Sequence, residues 1–149
     1  MSFLNSEQLN LLTGTFQKHF DQFSTGIGNE ILIYKEPIKI INTIGSTNFP
    51  GYGEDSSSNT EITYQVVSGA YPCIPIYGNM GGKGFTELHF SLGQNEIMVK
   101  VKEDAKNYIL DGKTERVIVN GMNYNITSNY KIQNFYGSLY YYFKCTETQ

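Results

Sequence analysis

Tryptophan is absent from this chain, histidine and cysteine occur twice each, and charged side chains make up only 17% of its 149 residues. Each scarcity closes off a class of function. His19 and His89 fall in different predicted elements, and neither lies in a motif that pairs it with a carboxylate or thiol, so no acid–base or nucleophile constellation can be assembled. Cys73 and Cys145 lack C-x-x-C spacing and a neighbouring histidine, which leaves no zinc pattern; two free thiols are a better reading than a disulfide. Charge sits below the roughly 25% of an average soluble domain. With a net charge of −3 and a pI near 5.3, no global field recruits nucleic acid. No apolar run reaches the length of a membrane span and no basic leader precedes one, so a soluble protein made in the cytoplasm, without membrane contact, is expected.

Other motifs are equally thin. Gly78 to Gly84 reads GNMGGKG, which fits neither G-x-x-x-x-G-K-[ST] nor G-x-G-x-x-G, and it is read as a second flexible loop. Glu54-Asp55 lacks the alternating oxygen ligands of a calcium loop. Lys100, Lys102, Lys106, Lys113 and Arg116 make a diluted basic region, read as a solvated face. The expectation is therefore no catalytic residue, no metal and no cofactor.

What the chain has is apolar content at 40%, with 12 tyrosines and 9 phenylalanines. That suffices for one core, so residues 1–149 are expected to form a single domain. Asn5 and Gln8 have capping-box spacing, and Leu9, Leu12, Phe16, Phe20 and Phe23 recur on one helical face. A helix over 6–25 is predicted, packed on a sheet through Leu12, Phe16 and Phe20 and ended by Gly26 and Gly28. His19 sits at the boundary of that stripe.

From residue 30 onward the pattern is β. EILIYKEPIKIINTI reads as a long strand bent at Pro37, a residue tolerable only at an edge or bulge. Ile62, Tyr64 and Val66 open the next strand, and Pro72 and Pro75 make AYPCIPIYG an edge or crossing segment. Leu88 to Leu92 and Ile97 to Val101 suggest a hairpin through Gly93-Gln94-Asn95, and EDAKNYIL a short helical connector. Asn120-Gly121 predicts a type I′ turn that sets Val119 opposite Met122 and Val117 opposite Tyr124, with these apolar partners on one face.

Two places look suited to contact. The segment from Gly45 to Thr60 is too long and polar for a plain connection, so it is expected to project, with Phe49 and Tyr52 as apolar anchors. In the last strand Leu139, Tyr141, Phe143 and Cys145 point one way; Tyr140 and Tyr142 lie on the other face and are expected to be displayed. The fold class these elements predict is mainly β, an antiparallel barrel or sandwich with one N-terminal α-helix.

The C-terminal hairpin also carries a resemblance. Val117, Val119, Gly121, Tyr124 and Ile126, followed by a return strand from Ser138 to Thr146, resemble the V-x-V-x-G-x-x-Y-x-I hairpin of tailed-bacteriophage neck proteins, the head–tail connector, stopper and ring class. The order of a short aromatic helix and then ILIYKEPIK is similar too, while the 45–60 and 78–84 loops depart from the pattern. The resemblance implies a virion protein of the neck: a homo-oligomeric ring stacked below the portal, joined to portal or adaptor and tail proteins, with passive contact to packaged DNA. A low-charge surface rich in Tyr and Asn agrees with a molecule that is mostly interface. The alternative is a Tyr-rich β-sandwich that binds carbohydrate or peptide on Tyr140 and Tyr142; the lack of tryptophan weakens it.

Overall fold

The computed structural model describes residues 4–43, 60–78 and 92–148. The N-terminal helix α1 (Ser6–Phe23) starts on the capping box its sequence suggests: Asn5 accepts from the Gln8 N–H at 2.8 Å, and the Gln8 side chain accepts from the Asn5 N–H at 3.2 Å. It ends earlier than residue 25. Ser24 leaves helical geometry, and its backbone N–H at 2.9 Å and its buried hydroxyl at 2.7 Å both donate back to the Phe20 carbonyl, closing the last turn.

Among the described residues seven strands follow, β1 (Glu30–Thr43), β2 (Thr60–Tyr77), β3 (Glu96–Val101), β4 (Thr114–Val119), β5 (Met122–Ile126), β6 (Lys131–Phe135) and β7 (Ser138–Glu147), with α2 (Glu103–Leu110) between β3 and β4. Every pairing is antiparallel. The order β3-β2-β1-β4-β5-β7 returns to β3 through a direct β3–β7 pairing, so the pairing runs in a closed circuit with β6 beside β7. The fold is mainly β with an N-terminal helix, as the sequence predicts.

Local chemistry sets the joints. Asn120 (φ 50°) and Gly121 (φ 81°) make the β4–β5 turn, with Val119 opposite Met122 and Val117 opposite Tyr124. Val117, Val119 and Tyr124 are buried, but Met122 is exposed, because it sits at the hairpin tip beyond the enclosed interior. Tyr136 (φ 48°) and Gly137 (φ 93°) form the second tight turn. Pro72 pairs with Glu30 of β1, whereas Pro75 pairs with Val99 of β3: β2 passes from one neighbour to the other, a crossing segment as expected. The strand expected over Leu88 to Leu92, with His89, lies largely outside the described residues.

Two apolar clusters result. The first fills the circuit with Ile31, Ile33, Cys73, Val99, Val117, Tyr141, Phe143 and Cys145 among others, and Ala105 and Ile109 of α2 join it. The second lies between α1 and the outer side of the strands, with Phe20, Met98, Tyr140 and Tyr142. β7 is therefore covered on both sides, which corrects the expectation that Tyr140 and Tyr142 are displayed. The helix needs a surface for its aromatic stripe, and these rings supply it: Phe20 stacks on Tyr140 at 5.2 Å. Of the expected helix contacts, Phe20 is fully buried, while Leu12 and Phe16 are only partly so. Phe16 instead stacks on Phe135 at 5.1 Å and Tyr136 at 5.7 Å.

Candidate assembly interface

β1 has 14 residues and β2 has 18, against a usual strand of about 5–6. Only part of that length belongs to the circuit. β4 pairs with β1 from Ile31 to Lys35, and β3 pairs with β2 from Cys73 to Tyr77. Beyond those limits, among the described residues, Ile38–Thr43 and Thr60–Gln65 pair only with each other. This two-stranded arm extends about 20 Å, at roughly 3.3 Å per residue.

The base of the arm is fixed. A bulge between Lys35 and Ile38 sets Glu36 and Pro37 against Val66 alone, so the proline occupies the kind of place its missing N–H requires. Lys35 is buried, and its ammonium donates to the Ile109 carbonyl and to Thr114 Oγ1, each at 3.0 Å, above the Tyr108 ring at 5.0 Å. Burial lowers its pKa from the ordinary lysine value. The Glu36 N–H donates to the Lys113 carbonyl at 3.2 Å. Gly69 lets the ribbon approach the Tyr71 and Tyr108 rings, since a Cβ there would lie 2.9 Å from Tyr71 and 3.1 Å from Tyr108.

The arm's surface is unusual for exposed β structure. Ile41 is 57% exposed, Tyr64 65% and Val66 66%, and Ile38, Ile40 and Ile62 are exposed as well. Directly paired residues share a face. Lys39 with Tyr64, and Ile41 with Ile62, define one face, which Val66 extends; Ile38 with Gln65, Ile40 with Thr63, and Asn42 with Glu61 define the other. Both faces are apolar in the middle. The outer edge of β2 from Ile62 to Ser68 contains neither charge nor proline, the usual protections of an open edge. Such surface makes the arm the candidate contact face among the described residues.

The remaining sequence candidates separate. Phe49 and Tyr52 lie outside the described residues, in the segment that joins the two strands of the arm. Tyr140 and Tyr142 are far from a display role: the Tyr142 hydroxyl donates to Gln133 Oε1 at 2.6 Å, and burial raises both phenol pKa values. Lys100 lies 4.2 Å from the Tyr140 ring centroid and 5.1 Å from that of Phe135, and burial depresses its pKa to about 8. The basic region is not a shared solvated face: Lys102 pairs with Asp21 at 2.7 Å, Lys106 lies over Tyr141 at 4.6 Å, and Arg116 over Tyr34 at 4.9 Å. Cys73 and Cys145 are free and buried, with thiol pKa values pushed up to about 12. His19 is exposed and stacks on Phe23 at 4.5 Å.

Among the described residues, no three His, Cys, Asp or Glu side chains gather as a metal site, and no helix is long and apolar enough to cross a membrane. An open cleft of about 300 Å³ lies between α1, the start of α2 and the Tyr136–Gly137 turn, lined by Gln17, Lys102, Asp104 and Leu139 among others. Lys102 there is engaged by Asp21. The apolar arm carries the stronger signal, and the sequence hid it because alternating β residues read as a half-buried strand; only the excess strand length could have pointed to it.

No family model, curated protein or solved structure matches the chain.

Proposed function

We propose that this chain is a structural subunit of a tailed-bacteriophage neck, a ring-forming connector at the head–tail junction that extends the DNA conduit below the portal and joins head to tail. The observation that carries the reading is the projecting arm with apolar side chains on both faces, anchored to a closed β body. An arm of this kind gains its stability on assembly and has no use in a free monomer. The hairpin resemblance at Val117, Val119, Gly121, Tyr124 and Ile126 supplies the phage context. In that context the partners are neighbouring copies, the portal or adaptor above, tail proteins below, and packaged DNA passively within. The carbohydrate- or peptide-binding reading loses its support, because the tyrosines that would form its platform are buried.

The test is genetic and structural together. Removing the gene from a phage that carries it should leave filled or leaking heads without tails, and the chain should be found in purified virions at a fixed copy number in the neck. Virions that assemble with tails and retain DNA in its absence overturn the proposal.

A further inference from the structure

The two faces of the arm differ in sign. Lys39 lies on the face with Ile41, Ile62 and Tyr64, and Glu61 lies on the face with Ile38, Ile40 and Thr63. Neither has an ion-pair partner among the described residues. Stacking two arms by like faces puts two charges of one sign, and none of the other, into the contact. Stacking unlike faces with an offset of three residue pairs, the separation of Lys39↔Tyr64 from Asn42↔Glu61, covers isoleucines on both sides and brings cation to anion. The chemistry therefore selects a partner and an orientation.

We infer that the occupant of the arm is the arm of a second copy of this chain, packed with the Lys39 face of one against the Glu61 face of the next. The contact is heterologous: each arm has one face for the copy before it and one for the copy after. Repetition gives a closed ring where the rotation closes and a filament where it does not. Ring closure rests on the proposed connector role, whereas the pairing of faces rests on the arm alone. The body can leave the arms free to stack because the bulge at Pro37 and the anchored Lys35 fix where the ribbon leaves it.

The pairing can be trapped with the purified full-length chain. Lys39→Cys and Glu61→Cys variants are mixed and treated with a short bis-maleimide that spans the roughly 10 Å between face-packed sheets. The buried Cys73 and Cys145 react slowly and serve as internal background. A control pair, Asn107→Cys with Asn129→Cys, places thiols at exposed positions outside the arm. We expect the mixed Lys39→Cys/Glu61→Cys product to exceed the control and both like-with-like products at least tenfold, and a chain carrying both substitutions to give a ladder. Lys39→Glu and Glu61→Lys should each weaken self-association about threefold to tenfold, from loss of one exposed ion pair and gain of a repulsion, and the two together in one chain should restore it. Like-with-like products in excess, or none above the control at the highest soluble concentration, overturn the inference, including the case in which another protein covers the arm. The two proposals fail separately. The specific cross-link in a chain that is absent from virions refutes the neck assignment alone; a chain found in the neck without the cross-link refutes the stacked arms alone.

Discussion

The same two strands carry both fully buried and largely exposed apolar side chains. Near the body, Ile31 and Ile33 of β1 are at most 1% exposed, with β2 on one side and β4 on the other. A few residues on, Ile38 and Ile41 of the same strand are 55% and 57% exposed, with only β2 beside them. Side-chain type does not separate the two regions, since both are isoleucine in β conformation. What separates them is the third strand and the layer it carries. A two-stranded ribbon has no interior, so its apolar residues stay in water until another surface arrives.

If that is the right distinction, substitutions should divide by the elements around a residue. The largest loss is expected under α1. Phe20→Ala removes a ring that is 1% exposed and stacked on Tyr140, and should cost about 3–5 kcal/mol in chemical denaturation. Phe16→Ala, at a half-buried ring, should cost about 1–2 kcal/mol on the same area argument. Equal losses would mean that the helix is held by its whole stripe.

The comparison within β1 is sharper. Ile33→Ala should destabilise the monomer by about 2–5 kcal/mol through cavity formation, whereas Ile41→Ala should stay within about 0.5 kcal/mol. The readouts should invert for assembly: Ile41→Asp is expected to leave the thermal midpoint of the monomer nearly unchanged and to reduce incorporation into particles. An Ile41→Ala monomer destabilised as much as the Ile33→Ala one would place the arm against the body and remove its role as a free surface.

The junction of the two regions comes next. Gly69→Ala puts a methyl group 2.9 Å from the Tyr71 ring and 3.1 Å from that of Tyr108. Both rings are partly buried, so they can shift only at some loss of packing. The expected cost is about 1–3 kcal/mol, with hydrogen exchange rising at the arm base around Lys35 and Thr114 before it rises in the body. Exchange that rises everywhere at once would show that arm and body unfold as one unit.

Much of the body was legible in the sequence, because local rules there agree with tertiary packing. The capping box at Asn5, the Asn120-Gly121 turn, the bulge at Pro37 and the crossing at Pro72 and Pro75 each follow from backbone chemistry that no tertiary contact overrides. The failures have one cause. Alternation tells which side chains share a face, but not what lies against that face. Tyr140 and Tyr142 alternate as a displayed pair would, yet both are buried, Tyr140 under Phe20 of α1 and Tyr142 beside Gln133 of β6; Tyr64 and Val66 alternate as a half-buried strand would, yet nothing in the described chain covers them. The expected anchors Phe49 and Tyr52 lie outside the described residues, so the arm that leads to them is the part of the site that geometry defines.

The smallest expected effect comes from a half-buried charge. Lys100 is enclosed by Tyr140, Phe135 and Tyr142, and no hydrogen-bond acceptor or carboxylate meets it among the described residues. Desolvation depresses its folded pKa to about 8, from 10.5. In that window the unfolded chain holds the Lys100 proton more tightly, so this group adds stability as pH increases from about 8 toward 10. The buried thiols of Cys73 and Cys145, with pKa values of about 12, and the buried phenols of Tyr124, Tyr140 and Tyr142, whose values are also raised, work in the opposite sense: as pH climbs through about 9 to 10 the unfolded chain loses these protons first and stability falls. A shallow maximum between pH 8 and 10 should appear in denaturation midpoints. Lys100→Met should remove most of the rising limb, leaving the smaller share of Lys35, whose pKa burial also lowers; it should keep the falling limb and stabilise the chain at pH 7 by about 1 kcal/mol, a figure reduced for residual solvent screening and for the lost cation–π contact. If Lys100→Met leaves the profile of the parent chain unchanged, the ammonium is solvated and the aromatic enclosure is open to water.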